Sequence, residues 1–344
     1  MKCKNCKKNS LKRIVKIGKQ PLSGFFYLRK ETNLPKYSLD LYKCSNCSLV
    51  QLNNSSDTKK MYGSHYGYKT SVSKMMVSHL REKIKRLKKY KIIKKGNNLL
   101  DIGSNDASFL KLLGKNCNLY GVDPSAKKFK KEYKGMKLIT DFFSKKNILK
   151  NIKNENIKFD LISSFAMFYD VEDPNSFCQD IEMLLSDNGI WVCEFSYLPL
   201  MLKNLTFDQI CHEHVMYYAF GVFEKILLNN NLKVTNIKLN EITCNLSFIL
   251  VNLEIIDVKN LFFPLKLRIW KEGDKIIPLG MKGSKKVSDI LIDTKTSMLE
   301  KQNQYVLENG NGKLIWVIVK KISDEFKITK LTQTKVKLGF NPLP

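Results

Sequence analysis

Long apolar runs are missing from this sequence: no stretch approaches the ~18 consecutive apolar residues that a membrane-spanning helix needs. The basic start Met1-Lys2-Cys3-Lys4-Asn5-Cys6 leads into no apolar segment, so no secretory signal is expected and a cytoplasmic location follows. Acidic residues are few, 32 against 59 Lys and Arg, which leaves a formal charge of +27. Such an excess suits nucleic-acid phosphates. Here, however, the lysines run over nearly the whole length beside many asparagines, the pattern of A/T-rich codon usage. The charge is therefore read as compositional, with a general attraction for anionic substrates as its by-product. Histidine is scarcer still, at four residues, and two of them stand together in His212-Glu213-His214.

What is present suffices for a folded protein. The 344 residues, 43% of them hydrophobic, predict two or three domains with real cores. Nine cysteines fall into two classes. Cys117, Cys178, Cys193, Cys211 and Cys244 are scattered, and in a reducing compartment they serve as small core residues. Cys3, Cys6, Cys44 and Cys47 form two C-x2-C knuckles, which offer four soft thiolates in the tetrahedral set that Zn²⁺ accepts. A redox motif needs one such pair, not two. With all four positions filled by protein the zinc is structural, and it substitutes for core in a module of about 60 residues. The expected organisation is a zinc-binding module over 1–60, a central domain over 61–253 and a C-terminal segment over 254–344. A linker, Asn53 to Lys60, closes the first of these.

The central domain alternates strand and helix. Asn98 to Ile102 is a strand entering the turn Gly103-Ser104-Asn105-Asp106-Ala107, and Phe109 to Leu113 then has helical spacing. Strands follow at Leu119–Asp123, Lys137–Ile139, Phe159–Ser164 and Gly189–Glu194, with helices at Ala126–Tyr133, Asn175–Leu185 and Gly221–Leu228. Before them, Met76, Leu80, Ile84 and Leu87 form one apolar stripe; after them, 232–239 and 246–253 read as a closing strand pair. This order predicts a Rossmann-like, doubly wound α/β fold with its crevice at the strand C-termini. A nucleotide-like cofactor belongs at the Gly103 turn, with Asp123 accepting from two ribose hydroxyls. The G-x-G-x-x-G signature is absent, so a pyrophosphate cradle is not expected. Asp101 and Asp106 beside the turn suit a cationic cofactor better.

Leu100 to Ala107 (L-D-I-G-S-N-D-A) and Gly121 to Ser125 (G-V-D-P-S) resemble the first two motifs of class I S-adenosylmethionine-dependent methyltransferases. Within that class the chain is similar to the C-methyltransferases of nucleotide-linked deoxysugars, which begin with a four-cysteine zinc domain. The shared motifs are Tyr66 to Ser71, Met76 to Leu80, Ala166 to Pro174, Glu194 to Pro199 and Cys211 to Tyr218, so the likeness spans residues 1 to about 245. It implies S-adenosylmethionine held by Asp101, Gly103, Ser104, Asn105, Asp123, Pro124, Asp141 and Phe142. It further implies a 4-ketohexose substrate, deprotonated at carbon by His214 with Glu213 as its partner. Tyr66, Tyr68 or Tyr197 would donate to the enolate oxygen, and His212 is a second candidate base.

Some residues depart from the group's pattern. Ala107 stands where glycine is usual, and Phe195 replaces a glutamine expected to face the substrate. Asn245-Leu246-Ser247 replaces Gly-Gly-Ser, and Leu279 to Ser284 only faintly echoes a second Gly-rich loop. The last hundred residues are thus diverged, truncated or partly disordered. His212-Glu213-His214 is no zincin helix, because Met216 occupies the place of the second histidine. Two other readings stay open: an RNA methyltransferase with a zinc module, and a scaffold that binds cofactor without turnover. Against the first, Ser163 to Asp170 contains neither an N/D-P-P-Y/F motif nor a P-C or T-C nucleophile. The implied partner is a small nucleotide sugar, with neither membrane nor nucleic acid required.

Overall fold

A computed structural model describes the chain apart from residues 1, 24–33, 54–60, 64–65, 90–91, 115, 241–244, 253, 282, 295, 297, 319, 328–334 and 339–344. Most of the expected linker, and Cys244, lie outside the described residues. The chain divides into two compact units, residues 1–252 and 253–344. No helix among the described residues is long and apolar enough to cross a membrane.

The first unit opens with five short strands: β1 (Leu11–Val15), β2 (Lys19–Pro21), β3 (Lys36–Ser38), β4 (Leu41–Cys44) and β5 (Val50–Leu52). Helix α1 (Lys74–Lys89) follows, then β6 (Asn98–Ile102), α2 (Ser108–Leu113), β7 (Asn118–Val122) and β8 (Lys137–Ile139). Next come α3 (Lys145–Ile152), β9 (Phe159–Phe165), α4 (Pro174–Leu184) and β10 (Leu185–Ser196). The unit ends with α5 (Leu198–Lys203), β11 (Met216–Tyr217), α6 (Phe220–Asn229), β12 (Leu232–Asn240) and β13 (Asn245–Asn252).

Seven strands form one sheet in the order β12-β13-β10-β9-β6-β7-β8. Its pairs are parallel from β10 to β8, while β13 runs antiparallel to both its neighbours. The chain winds outward from β6 to β8 and then returns to β9 on the other side. That reversal opens a crevice beyond the C-terminal ends of β6 and β9.

Both sheet faces are covered, which is why β6 reads as a nearly unbroken apolar run. Leu80, Ile84 and Leu87 of α1 pack with Phe109, Leu110 and Leu113 over one face. The other face carries Phe168, Phe177, Trp191, Phe195 and Phe223, each burial contributing roughly 1.5–3 kcal/mol. Phe195 therefore does not face the substrate. Strand alternation turns Glu194 toward α1 and Phe195 into this aromatic cluster, 4.7 Å from Phe223 between ring centres. The helix expected at Ala126–Tyr133 is a 3₁₀ stretch, Pro124–Tyr133. Its four lysines leave only Ser125, Ala126 and Tyr133 buried, too narrow a face to hold an α-helix.

The second unit is antiparallel wherever strand pairs are described. It contains β14 (Glu254–Asp257), β15 (Lys266–Ile269), β16 (Lys275–Ile276), β17 (Lys285–Lys286), α7 (Val287–Asp293), α8 (Met298–Gln302), β18 (Tyr305–Glu308), β19 (Leu314–Val317), β20 (Lys321–Ile322) and β21 (Lys335–Leu338). The sheet β15-β18-β19-β20 buries Ile315, Trp316, Ile318, Ile322 and Phe326 as one cluster. Val287, Ile290 and Leu291 of α7 pack with Val306 and Val317 as another. Gly280 donates its N–H to Asp324 at 2.9 Å, which ties the Gly280 turn into this unit's own framework.

Candidate active site and metal centre

The two C-x2-C knuckles converge. Cys3 and Cys47 sulfurs lie 3.5 Å apart, Cys6 and Cys44 sulfurs 3.6 Å apart, and all four fall within 4.8 Å of one another. A tetrahedron with Zn–S bonds of ~2.3 Å has sulfurs about 3.8 Å apart, so the set fits zinc with no position left for water. Burial opposes ionisation of Cys44, but the Ser10 hydroxyl and the backbone N–H groups of Cys47 and Asn46 outweigh it, bringing the thiol to about 6.

The zinc module is built into the sheet unit. Cys3, Cys44 and Leu49 belong to the same buried cluster as Phe168 and Trp191. Lys7 pairs with Asp173 at 2.9 Å, and Lys4 pairs with Glu172. Strand β5 pairs antiparallel with β11, so β1-β4-β5-β11 is a single sheet. Strand β11 begins two residues after His214. The metal module therefore holds the downstream end of the Cys211–His214 loop.

It holds the upstream end as well, through His212. That side chain is 98% buried, since only 2% of its surface is exposed; its Nδ1 accepts from the Ser23 N–H at 3.1 Å and its Nε2 donates to the Tyr37 carbonyl at 3.1 Å. Both ring nitrogens are committed to framework partners. His212 is thereby placed in the zinc-module interface, away from any role as a base.

The turn at Gly103, where the sequence places the cofactor, lies at the C-terminal end of β6. Gly103 has φ +71°, and a Cβ there would lie 3.3 Å from Met167 Cγ. Asp123, at the end of β7, accepts from Asn105 N at 2.8 Å and from the amide and hydroxyl of Ser125, each at 2.6 Å. Three of its roughly four acceptor sites are thus in use, which leaves about one for a further donor unless the Ser125 hydroxyl turns away. Asp101 is buried behind the turn; burial raises its carboxyl to about 7, with the Ser163 hydroxyl at 2.6 Å opposing. Ala107 has φ +60°, the left-handed region that explains why related chains use glycine there.

The segment Tyr66–Ser71 lies over this turn. Asn105 Oδ1 accepts from Thr70 N at 3.0 Å, Asp106 accepts from Ser71 N at 3.0 Å, and Asn105 donates to the Tyr68 carbonyl at 3.2 Å. Tyr68 itself is 44% exposed and contributes mainly this backbone contact. Beyond β8, the Asp141 carboxylate accepts from Phe142 N at 2.7 Å, and the Phe142 ring meets Tyr62 edge-on at 6.3 Å.

His214 packs on Tyr169, in the turn that follows β9. Its Nδ1 donates to the Gln209 carbonyl at 2.8 Å, which leaves Nε2 as the nitrogen with a lone pair. Its ring centre lies 4.0 Å from that of Tyr169. Burial drives its conjugate acid down to about 4, with the Gln209 carbonyl and Asp208 opposing, so the imidazole is neutral. Glu213 turns to the Tyr66 hydroxyl rather than to His214; burial raises its carboxyl and that hydrogen bond opposes. Tyr66 stacks beside Tyr62 with centroids 5.2 Å apart. Tyr197 caps α5 and sits partly buried against the aromatic core.

Three polar residues at the site were not foreseen from sequence. Glu194, inside a motif read only for likeness, is bound by His79 at 2.7 Å and by Lys83. Burial would raise its carboxyl, but those two partners hold it at about 2. A signal existed: His79 and Lys83 are polar residues four apart on a helix whose neighbours Leu80 and Ile84 are buried. Asp170 and Tyr62 gave none, because nothing local marks a carboxyl and a phenol that meet across 108 residues.

Two family models match the chain, a methyltransferase domain over residues 74–237 and a zinc binding domain over residues 3–62. The C-methyltransferase NovU of Streptomyces niveus is 24% identical over 242 residues, covering 68% of this chain and 56% of that protein. The tRNA(Ile)-lysidine synthase of Parabacteroides distasonis is 41% identical over 85 residues, 25% of this chain and 19% of that protein. Among solved structures, an S-adenosylmethionine-dependent methyltransferase from Clostridium acetobutylicum is 12% identical, with TM-score 0.40, over 51% of this chain and 91% of that one. The chain spans about half, or less, of the length of these two curated relatives.

Proposed function

Because the chain belongs to the class I S-adenosylmethionine-dependent methyltransferases with an N-terminal zinc-binding module, we propose that it methylates carbon in a small carbon acid. The substrate class is a nucleotide-linked 4-ketosugar, deprotonated beside its ketone. The observation that carries this reading is His214, a neutral imidazole with Nδ1 anchored on Gln209 and the lone pair left on Nε2. Likeness to a C-methyltransferase supports it.

When bound, S-adenosylmethionine supplies the electrophilic methyl group. Asp123 holds the ribose, and the Gly103 turn admits the cofactor close to the backbone. His214 Nε2 takes the proton from carbon, while the Gln209 carbonyl keeps the ring in the required tautomer. The zinc module keeps Cys211–His214 in register with the sheet through β5 and β11. Most of the acceleration comes from positioning two reactants in a site that excludes water.

Mass spectrometry of methyl transfer to a panel of nucleotide 4-ketosugars, run beside total RNA, tests the reading. Label in a sugar carbon supports it. Label in RNA alone overturns it.

A second reading, RNA methylation, is favoured by the stretch shared with lysidine synthases. We assign that stretch to the second unit, which both family models leave unmatched and which has a similar length. Net charge does not favour it, being about +20 in residues 1–252 and about +7 in 253–344, in proportion to length.

A further inference from the structure

Two buried polar atoms, Asp170 Oδ1 and Tyr62 Oη, have no hydrogen-bond partner. The phenol and the carboxyl interact with one another, yet neither of these atoms completes a hydrogen bond of normal geometry. Leaving a buried polar group unsatisfied costs about 1–3 kcal/mol, and two such atoms side by side double that cost. Sites that tolerate it are commonly waiting for a ligand.

Their surroundings say which ligand. Asp170 ends the turn Phe168–Asp170 after β9, and its neighbour Tyr169 carries the His214 ring. Tyr62 stacks on Tyr66, whose hydroxyl meets Glu213. Glu213, Tyr62, Tyr66, Tyr169, Cys211, Tyr217 and Tyr218 are titratable groups whose fields reach Asp170. Burial drives the Asp170 carboxyl well above the ordinary range, and Glu213 pushes it the same way, with Tyr62 opposing. Burial likewise holds Tyr62 as the neutral phenol. Both shifts favour the uncharged O–H forms of Asp170 and Tyr62, and the unpartnered Asp170 atom lies one residue from the Tyr169 ring that packs on the His214 imidazole. An oxygen that gains negative charge during reaction is the ligand that two such donors suit. A carboxylic acid kept neutral by its site can serve as a donor at neutral pH.

We propose that Tyr62 and Asp170 form an oxyanion hole, donating to the carbonyl oxygen of the carbon acid and holding the enolate oxygen after proton transfer. This rests on the carbon-acid reading above. The C–H electron pair becomes the enolate double bond, the carbonyl π pair moves onto oxygen, and the proton goes to His214 Nε2. On methylation the enolate double-bond pair forms the new carbon–methyl bond, and the methyl–sulfur bond of the sulfonium donor breaks with its pair going to sulfur. The carbonyl re-forms, and His214 gives its proton to solvent.

Substituted phenols of graded acidity, binding the complex with S-adenosylhomocysteine, are the probe, since a phenolate presents one charged oxygen on a flat apolar body. Tyr62→Phe and Asp170→Ala each weaken phenolate binding tenfold or more, while Asp170→Asn, which keeps a donor, stays within about threefold. Homocysteine-cofactor affinity by calorimetry is unchanged in all three, which shows that they are folded. Isotope-edited infrared spectra show a protonated carboxyl at pH 7 that vanishes in Asp170→Asn. The proposal falls if the wild-type complex binds no phenolate, if Tyr62→Phe and Asp170→Ala bind as tightly as wild type, or if Asp170 is ionised at pH 7. Phenolate binding that depends on both residues, in a protein that methylates none of the ketosugars, sinks the proposed substrate and leaves the oxyanion hole standing.

Discussion

His212 and Ser23 are joined twice: the Ser23 N–H donates to His212 Nδ1 at 3.1 Å, and the His212 N–H donates to Ser23 Oγ at 2.8 Å. With Nε2 donating to the Tyr37 carbonyl, the ring is a fixed bolt between the metal module and the loop that carries His214. The two histidines of one tripeptide thus have unrelated surroundings, Ser23 and Tyr37 for His212 and Gln209 and Tyr169 for His214.

The bolt can be drawn. His212→Ala strands the Ser23 and Tyr37 backbone groups, each at a cost of about 1–3 kcal/mol. Urea unfolding registers that loss, and turnover falls while cofactor affinity by calorimetry stays within threefold. Turnover and stability both at wild-type level would contradict the framework role.

Zinc removal reaches beyond the first 60 residues. Since β5 pairs with β11 and Cys44 shares a core with Trp191, Cys44→Ser loosens residues 209–218 along with the module. Hydrogen exchange by mass spectrometry reads this directly, as faster exchange at Val215 and Met216 in the variant. Protection confined to its wild-type pattern there would mean the module is only an appendage.

Asp123→Ala removes the ribose acceptors and also frees Asn105 N from its anchor. Losing one charge-assisted hydrogen bond costs roughly 1.5–3 kcal/mol, so S-adenosylmethionine affinity drops at least tenfold by calorimetry. Ser125→Ala, which only clears a competing donor, leaves affinity equal or better. Unchanged binding in Asp123→Ala would remove this residue from the cofactor site.

The pH profile identifies the base. His214 has its conjugate acid depressed from the ordinary 6.5 to about 4, so the active, neutral form persists as pH falls until about 4. The acid limb of kcat/KM, or of solvent-deuterium exchange into substrate, lies near pH 4 rather than near 6.5. By linkage, the shift stabilises the fold above pH 6.5 relative to acid, by about 3–4 kcal/mol at ~1.4 kcal/mol per unit, lost between 6.5 and 4. The difference in unfolding free energy between wild type and His214→Asn across that window isolates the contribution. A limb near 6.5 would point to an exposed histidine instead.

Local pattern was enough for the sheet and for the metal. Alternating apolar runs placed β6, β7, β9 and β10, because strands buried on both faces can hardly be written in other residues. Paired C-x2-C spacing named Cys3, Cys6, Cys44 and Cys47, because a knuckle turn brings its two sulfurs together whatever the rest of the chain does. Tertiary structure decided the remainder. The two-residue β11 is too short to leave a periodic signal, yet its pairing with β5 joins the metal module to the segment that carries His214. Whether Glu213 steadies His214 or Tyr66 depends on side-chain direction in a loop, which residue type does not encode. Asp170 and Tyr62 lie 108 residues apart, and their ionisation is set by burial, a property that exists only once the chain has closed around them.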